Sequence, residues 1–207
     1  MRLGLIGPCH GNLTALRSRA EFVLGELNID RAVYLGVDGA LDAMVLSWAR
    51  EIVASDPSDA ALWARAADAC GASSYQRIDA FIEKERRRAR LKLLECLPHA
   101  TARSVELFET VVSVLIYDKA HLDEDDILPA TILVFGKSRE PLIHRVGSRI
   151  FLSPGPATHP GGGVALLAEE DDDKVIITLF APDGKPVRKE TAAQLGANVR
   201  VTVQGAR

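Results

Sequence analysis

The sequence has few of the residues that mark secreted or membrane proteins. Its three cysteines, Cys9, Cys70 and Cys96, are an odd number and form no C-x-x-C pair. This argues against a disulfide framework and favours reduced thiols in a cytoplasm. Uninterrupted apolar stretches such as residues 114–116 are far shorter than the roughly 20 residues of a membrane helix, and the apolar run after Met1 is too short for a signal peptide. We therefore expect a cytoplasmic protein that does not bind membranes.

Several common catalytic motifs are also missing. The chain contains no G-x-S-x-G nucleophile elbow, no phosphate loop ending in Gly-Lys-Ser/Thr and no G-x-G-x-x-G dinucleotide motif. Residues 161–163 are three glycines, but no strand leads directly into them and no lysine with serine or threonine follows, so they do not predict a phosphate loop. These absences exclude the most recognisable hydrolase and nucleotide-binding classes.

The charge is modest and both signs are mixed. A formal net charge of −3 and a pI near 6.0 give no reason to expect a nucleic-acid partner. The most basic run, Glu83–Arg90, interleaves acids with arginines, which predicts a solvated helix face. With 207 residues, 47% of them hydrophobic and 26% charged, the chain suits one domain, residues 1–207, that buries about 70% of its unfolded surface.

The start of the chain predicts a strand, a helix and a parallel strand. Residues 3–7 form a short apolar run, and Leu16, Ala20 and Val23 then recur at helical spacing. Asn12 is a good N-cap for that helix. A second apolar run at 31–35 ends at a glycine, and strand, helix and strand within this length form a βαβ unit.

A second apolar stretch predicts where a binding site lies. Ile132–Phe135 reads as a buried strand that stops at Gly136, so Lys137, Ser138 and Arg139 are delivered to the carboxyl edge of the sheet. Ligand sites of open α/β sheets usually lie at that edge. Two more short strands follow and end at residues 153–155.

The remaining elements are predicted from periodicity and turn residues. Val105 and Leu107 are expected to point inward from a strand at 104–108, and an acidic run at 123–126 is expected to begin a short helix. The other predicted elements are helices at 41–53, from Ser58 to Ala69 and from Ser74 to Leu97, strands at 111–116, 164–167 and 175–180, and an edge strand at 186–189.

The motifs at the strand ends resemble those of calcineurin-like metallophosphoesterases, in the branch of small bacterial phosphodiesterases and the small retromer subunit of eukaryotes. Where that family has Asp-x-His-Gly-Asn, Gly-His-Thr-His and Asn-Pro-Gly-Ser, this chain has Pro8-Cys9-His10-Gly11-Asn12, Gly136-Lys137-Ser138-Arg139 and Ser153-Pro154-Gly155-Pro156. The resemblance covers residues 1–45 and 97–180. It implies an α/β sandwich of two mixed β-sheets flanked by helices. Residues 46–96 match no family motif and are expected to be a divergent helical insertion.

The resemblance implies a pair of metal ions, but the ligand positions have changed. The family's first aspartate is Pro8, the aspartate of its Gly-Asp motif is Val37, and two of its imidazoles are Lys137 and Arg139; His10 remains. One imidazole cannot hold a divalent cation, because even a single zinc site generally uses three protein ligands. We therefore expect no metal cofactor and no catalytic residues.

Three functions stay open. The first is a catalytically degenerate phosphoesterase fold that binds another protein, as the retromer subunit does in serving as a scaffold, with the insertion as its specialised surface. The second is a hydrolase with a rearranged manganese or zinc site. Its candidate residues are His10, Asp38, Asp56, Asp118 and His121. The third is a metal-free sensor of phosphate or a nucleotide, in which fixed positive charge replaces the metal.

A vestigial pocket is expected at the position of the family's active site. Its predicted ligand-binding residues are His10, Asn12, Asp38, Lys137 and Arg139, and a small anion such as phosphate is a candidate ligand. The alternative for the two basic residues is that they are loop side chains paired with Asp38, Asp118 or solvent.

Overall fold

The computed structural model describes residues 1–71, 74–170 and 174–193, which form two β-sheets and the helices that cover them. In chain order the elements are β1 (Arg2–Ile6), α1 (Leu13–Glu26), β2 (Arg31–Tyr34), α2 (Ala40–Val53), α3 (Leu62–Gly71), α4 (Tyr75–Arg90), β3 (Leu94–Cys96), β4 (Arg103–Leu107), β5 (Val112–Ile116), α5 (Glu124–Ile127), β6 (Ile132–Phe135), β7 (Leu142–Val146), β8 (Arg149–Ser153), β9 (Val164–Glu170), β10 (Lys174–Phe180) and β11 (Pro186–Ala193). Short 3₁₀ turns occupy Leu91–Leu93 and Lys119–His121. Residues 194–207, which the sequence places in the same domain, and residues 72 and 73 of the predicted insertion lie outside the described residues.

Both sheets are mixed, as predicted. The six-stranded sheet has the order β11-β10-β9-β1-β2-β3, in which β1, β2 and β3 are parallel and β9 is antiparallel to β1. The five-stranded sheet has the order β4-β5-β6-β8-β7, with β5, β6 and β8 parallel. This arrangement, with helices outside, confirms the expected α/β sandwich.

The largest apolar layers lie between the sheets and under the helices. One core fills the space between the two sheets and includes Leu3, Leu5, Val33, Leu115, Ile132 and Val134. A second core packs α1 and α2 on the outer face of the six-stranded sheet, with Leu16, Val23, Met44 and Trp48 among its members. A small third cluster places Ile127 of α5 on the outer face of the other sheet. Because these layers fix both sheets, the strand ends are rigid supports for the loops that follow them.

Two glycines mark where the carboxyl edges of the sheets touch. A Cβ on Gly7, after β1, would lie 1.7 Å from the carbonyl oxygen of Gly155, and one on Gly136, after β6, would lie 2.1 Å from that of Leu35. Real Cβ atoms do not approach backbone this closely, so both positions require glycine. The loops after β1, β2, β6 and β8 therefore meet at one edge of the sandwich.

The predicted long helix from Ser74 to Leu97 is wrong in its second part. Helix α4 ends at Arg90, and after a 3₁₀ turn the chain forms β3, which pairs in parallel with β2. Leu94 lies opposite Ala32 in this pairing and is buried. The sheet edge offered by β2 therefore overrides the helical periodicity. The helix predicted from Ser58 begins only at Leu62.

The predicted inward face of β4 is also wrong. Val105 and Leu107 are 56% and 70% exposed, while Glu106 and Phe108 are buried. Glu106 is held inside by an ion pair with Arg31, which lies 75 residues away in the sequence. Because side chains alternate along a strand, this contact turns the two apolar residues outward.

Local signals at helix ends and hairpins are confirmed. The side chain of Asn12 accepts a hydrogen bond from the Ala15 amide at 2.9 Å and caps α1. Asp123 and Asp126 form the reciprocal capping box of α5. The hairpin of β9 with β10 and the edge strand β11 are present. Among the described residues, no helix is both long enough and apolar enough to cross a membrane.

Candidate functional site

An open cleft of about 600 Å³ lies at the shared carboxyl edge. Its lining comes from the loops after β1, β5, β6 and β8 and consists of His10, Tyr117, Lys137, Ser138, Arg139 and Pro156. The structure thus brings three of the five predicted ligand-binding residues together. Tyr117 and Pro156 were not among the predicted site residues, and Ser138 was predicted to reach this edge but not to bind a ligand. The signal that could have found Tyr117 is its position directly after the buried strand β5, at the same sheet edge that Lys137 reaches two residues after the end of β6.

The turn after β6 positions the two basic side chains. The Gly136 and Lys137 amides donate to the carbonyl of Tyr117, the latter at 2.7 Å, which ties this turn to the end of the neighbouring strand. The hydroxyl of Ser138 donates to the carbonyl of Glu140 at 2.7 Å and closes the turn. Lys137 and Arg139 are therefore presented from a fixed backbone although both are exposed.

The loop after β1 presents His10. This residue has a positive φ of 49° and an exposed side chain, and it is followed by Gly11 with φ 85°. The Asn12 amide donates to the Cys9 carbonyl at 3.0 Å and closes the loop. The side chain of Asn12, a predicted ligand-binding residue, is occupied as the cap of α1 and is not part of the cleft lining.

Asp38 contacts Tyr34, Cys9 and its own loop instead of the cleft. Its Oδ1 lies 3.1 Å from the Tyr34 hydroxyl and accepts the Ala40 amide at 3.2 Å, and its Oδ2 lies 3.8 Å from the Cys9 sulfur. The Cys9 amide donates to the Tyr34 hydroxyl at 3.0 Å. Burial, followed by the hydrogen bond with the Cys9 thiol, raises the pKa of Tyr34 well above its ordinary value. Asp38 therefore anchors the loop after β2 and is not in the described lining of the cleft.

Lys137 and Arg139 differ in their partners. Lys137 forms an ion pair with Asp118, and that hydrogen bond lowers the pKa of the Asp118 carboxyl and raises the pKa of Lys137. Arg139 makes no hydrogen bond or ion pair with any other described residue. Lys137 is thus paired with an acid and Arg139 is exposed to solvent, and both arrangements were among the predicted alternatives for these loop residues.

The residues at this edge do not fit a pair of metal ions. Pro8 and Val37 offer no side-chain donor atom, and Lys137 and Arg139 bring positive charge where a cation would need ligands. Within residues 1–71, 74–170 and 174–193, no group of three His, Cys, Asp or Glu side chains is placed to hold a metal ion. Asp56, one of the residues considered for a rearranged site, lies in a separate groove with Leu46 and Lys92.

The comparisons with known proteins identify the fold. No protein-family model matches the chain, and no curated protein matches it by sequence. Among solved structures, Vps29 from Chaetomium thermophilum is 12% identical, with a TM-score of 0.50 over 94% of this chain and 97% of that one. A predicted phosphoesterase from Streptococcus pneumoniae TIGR4 is also 12% identical, with a TM-score of 0.50 over 93% and 97%.

These matches extend over nearly the whole of each chain, so the likeness is not confined to the βαβ start. Sequence identity of 12% carries no information on activity. Together with the two mixed sheets and the loops that meet at one edge, the likeness establishes that this chain has the calcineurin-like metallophosphoesterase fold.

Proposed function

We propose that this protein is a pseudo-enzyme that binds partners on a phosphoesterase fold and does not hydrolyse phosphoesters with metal ions. The observation that carries the proposal is the pair Lys137 and Arg139 at the end of β6, where the resembling family has two imidazoles. A two-metal phosphoesterase works because two cations about 3.5–4 Å apart clamp the phosphoryl oxygens and activate water. Neither basic side chain offers a ligand atom to such ions, and the charge of Arg139, which no described residue offsets, repels them.

The specialised surface for a protein partner is the helical segment between α2 and β3. Trp63 on α3 and Tyr75 on α4 are 80% and 85% exposed. Aromatic side chains are enriched in protein–protein interfaces relative to the rest of the protein surface. The resemblance to the small retromer subunit, a scaffold, supports the same role.

The metal-free proposal is tested by metal content and turnover. The protein is purified without added ions, its manganese and zinc are measured by mass spectrometry, and hydrolysis of bis(p-nitrophenyl) phosphate is followed with manganese supplied. We expect substoichiometric metal and no turnover above a buffer control. Stoichiometric metal together with turnover that His10→Ala abolishes would establish the rearranged hydrolase instead.

The scaffold role is tested with the exposed aromatics. Proteins that co-purify with the tagged chain are identified, and the tagged double variant Trp63→Ala/Tyr75→Ala is compared with Leu128→Ala, which removes a 63% exposed side chain elsewhere. We expect a stoichiometric partner that only the double variant loses. Equal retention by both variants would place the interface elsewhere on the molecule.

A further inference from the structure

The cleft at the carboxyl edge has a one-sided charge. Its lining contains His10, Lys137 and Arg139, and no aspartate or glutamate is among the described residues that line it. Asp118 lies next to it and neutralises Lys137, but Arg139 has no counter-ion among the described residues. The guanidinium of Arg139, in a cleft that His10 also lines, can bind a ligand with negative charge, since its fork of donors matches the oxygens of a phosphate.

The backbone adds to the same polarity. Helix α1 begins three residues after His10, and none of the residues in its first turn is acidic. The positive end of its dipole therefore follows the loop that presents His10, without a carboxylate in the first turn to offset it. The helix has 14 residues. This contribution is secondary to the side chains, because Asn12 already satisfies one of its amides.

The size and walls of the cleft leave room for an organic group on the anion. At about 600 Å³ it is larger than inorganic phosphate needs and falls in the usual range of small-molecule sites. Tyr117 and Pro156 supply apolar surface beside the basic side chains. A flat or cyclic group can pack on these two residues while its phosphate contacts Arg139.

We propose that this cleft is a metal-free binding site for a small organic phosphate monoester, with Arg139 as its principal contact and Lys137 and His10 as further donors. The site deepens the proposed function and rests on it, because a bound metal pair would occupy the same edge. The phosphate would compete with Asp118 for Lys137, whose side chain is 61% exposed.

The test is isothermal titration calorimetry in the presence of EDTA, with phenyl phosphate, inorganic phosphate and phenyl sulfate as the probes. We expect phenyl phosphate to bind more tightly than inorganic phosphate, because of the apolar wall, and phenyl sulfate to bind more weakly than phenyl phosphate, because it carries less negative charge. Arg139→Gln is expected to weaken phenyl phosphate binding about tenfold. Arg86→Gln is the matched control, since Arg86 is a 72% exposed arginine on α4 paired with Glu83.

Each other outcome overturns the site. No binding of phenyl phosphate in EDTA, equal binding of phenyl sulfate, or an equal effect of the two arginine variants would remove it and would leave the proposed function standing. Thermal melts of both variants exclude unfolding as the cause of a loss. Manganese-dependent hydrolysis of phenyl phosphate by the wild type would instead overturn the proposed function, and the two failures are thus distinguishable.

Discussion

Lys137 and Asp118 form an ion pair across the ends of two neighbouring parallel strands, β6 and β5. The pair occupies one carboxylate at the cleft edge that could otherwise ligate a cation. Arg139, two residues beyond Lys137, has no hydrogen-bond or ion-pair partner among the described residues. The edge therefore has one paired and one unpaired basic side chain. Neither can ligate a metal ion, and this is the basis of the first prediction.

Added metal is expected to leave thermal stability unchanged. A ligand present at a hundred times its Kd stabilises a fold by about 2.7 kcal/mol, so a genuine metal site would be visible in a melt. We expect manganese, zinc or EDTA to shift the Tm of the wild type by no more than the scatter between replicate scans. A saturable rise in Tm with either metal, absent in His10→Ala, would contradict this.

Replacing Arg88 is expected to destabilise the helical segment strongly. Glu85 accepts hydrogen bonds from Arg65 and Arg88 at 2.7 Å, and Arg88 also donates to the carbonyl of Pro57 at 2.9 Å. Although burial raises the pKa of Glu85, the bonds from the two arginines outweigh it and lower that pKa. Arg88 is buried, so the solvated face predicted for this run does not extend to it.

We expect Arg88→Met to lower the free energy of unfolding by about 2–3 kcal/mol, because it leaves buried acceptors without donors. The control is Arg86→Met, which removes an exposed pair and should change stability by less than about 0.5 kcal/mol. Urea unfolding followed by circular dichroism measures both. Equal effects would show that the buried network contributes nothing beyond surface charge.

Tyr34 is expected to make stability fall at alkaline pH. Its pKa is raised in the folded protein, so its contribution is complete below the unfolded value of about 10 and is lost as the pH rises toward the folded value. Above pH 10 the unfolded chain releases this proton and the folded chain keeps it. The expected slope is about 1.4 kcal/mol per pH unit.

The measurement is urea unfolding of the wild type and Tyr34→Phe between pH 8 and about 11, the range that brackets the tyrosine's ordinary pKa. The free energy of unfolding of Tyr34→Phe should fall less steeply with pH, because this variant lacks the proton of the Tyr34 hydroxyl. Tyr75→Phe, which changes an 85% exposed tyrosine, should keep the wild-type slope. Parallel curves for the wild type and Tyr34→Phe would rule the mechanism out.

The contact between Gly7 and Gly155 predicts that position 7 does not tolerate a side chain. Gly7→Ala would place a methyl group 1.7 Å from a carbonyl oxygen, and backbone on both sides would have to move. We expect a loss of about 3 kcal/mol or more. Gly25→Ala is the matched change within α1, where nothing lies within 4 Å of the new Cβ, and it should stabilise by about 0.4–1 kcal/mol. Comparison of the two by urea unfolding checks both signs.

The elements that could be predicted are those fixed by their own residues. The strand at 132–135 is a buried apolar run closed by Gly136, and α1 carries its own N-cap, so periodicity and capping were sufficient. Strand β3 has three residues and exists only because β2 offers an edge. The face of β4 depends on Arg31, a partner distant in sequence. Neither contact leaves a local signal.

The residues predicted for the candidate site also fall into two groups, those that reach the cleft and those that do not. His10, Lys137 and Arg139 reach the cleft because they follow strands whose ends meet, and strand ends can be read from the sequence. Asn12 and Asp38 also follow strands, but their side chains are taken by the Ala15 amide and the Tyr34 hydroxyl. Side-chain direction depends on these partners, so position alone predicted too many pocket residues.

The glycine contacts at the carboxyl edge have a consequence for design. Backbone packs directly against backbone where Gly7 contacts Gly155 and where Gly136 contacts Leu35. The backbone around the cleft is therefore held independently of the side chains that line it. An engineer could therefore exchange the bordering residues for others, installing carboxylates or imidazoles, without rebuilding the surrounding walls.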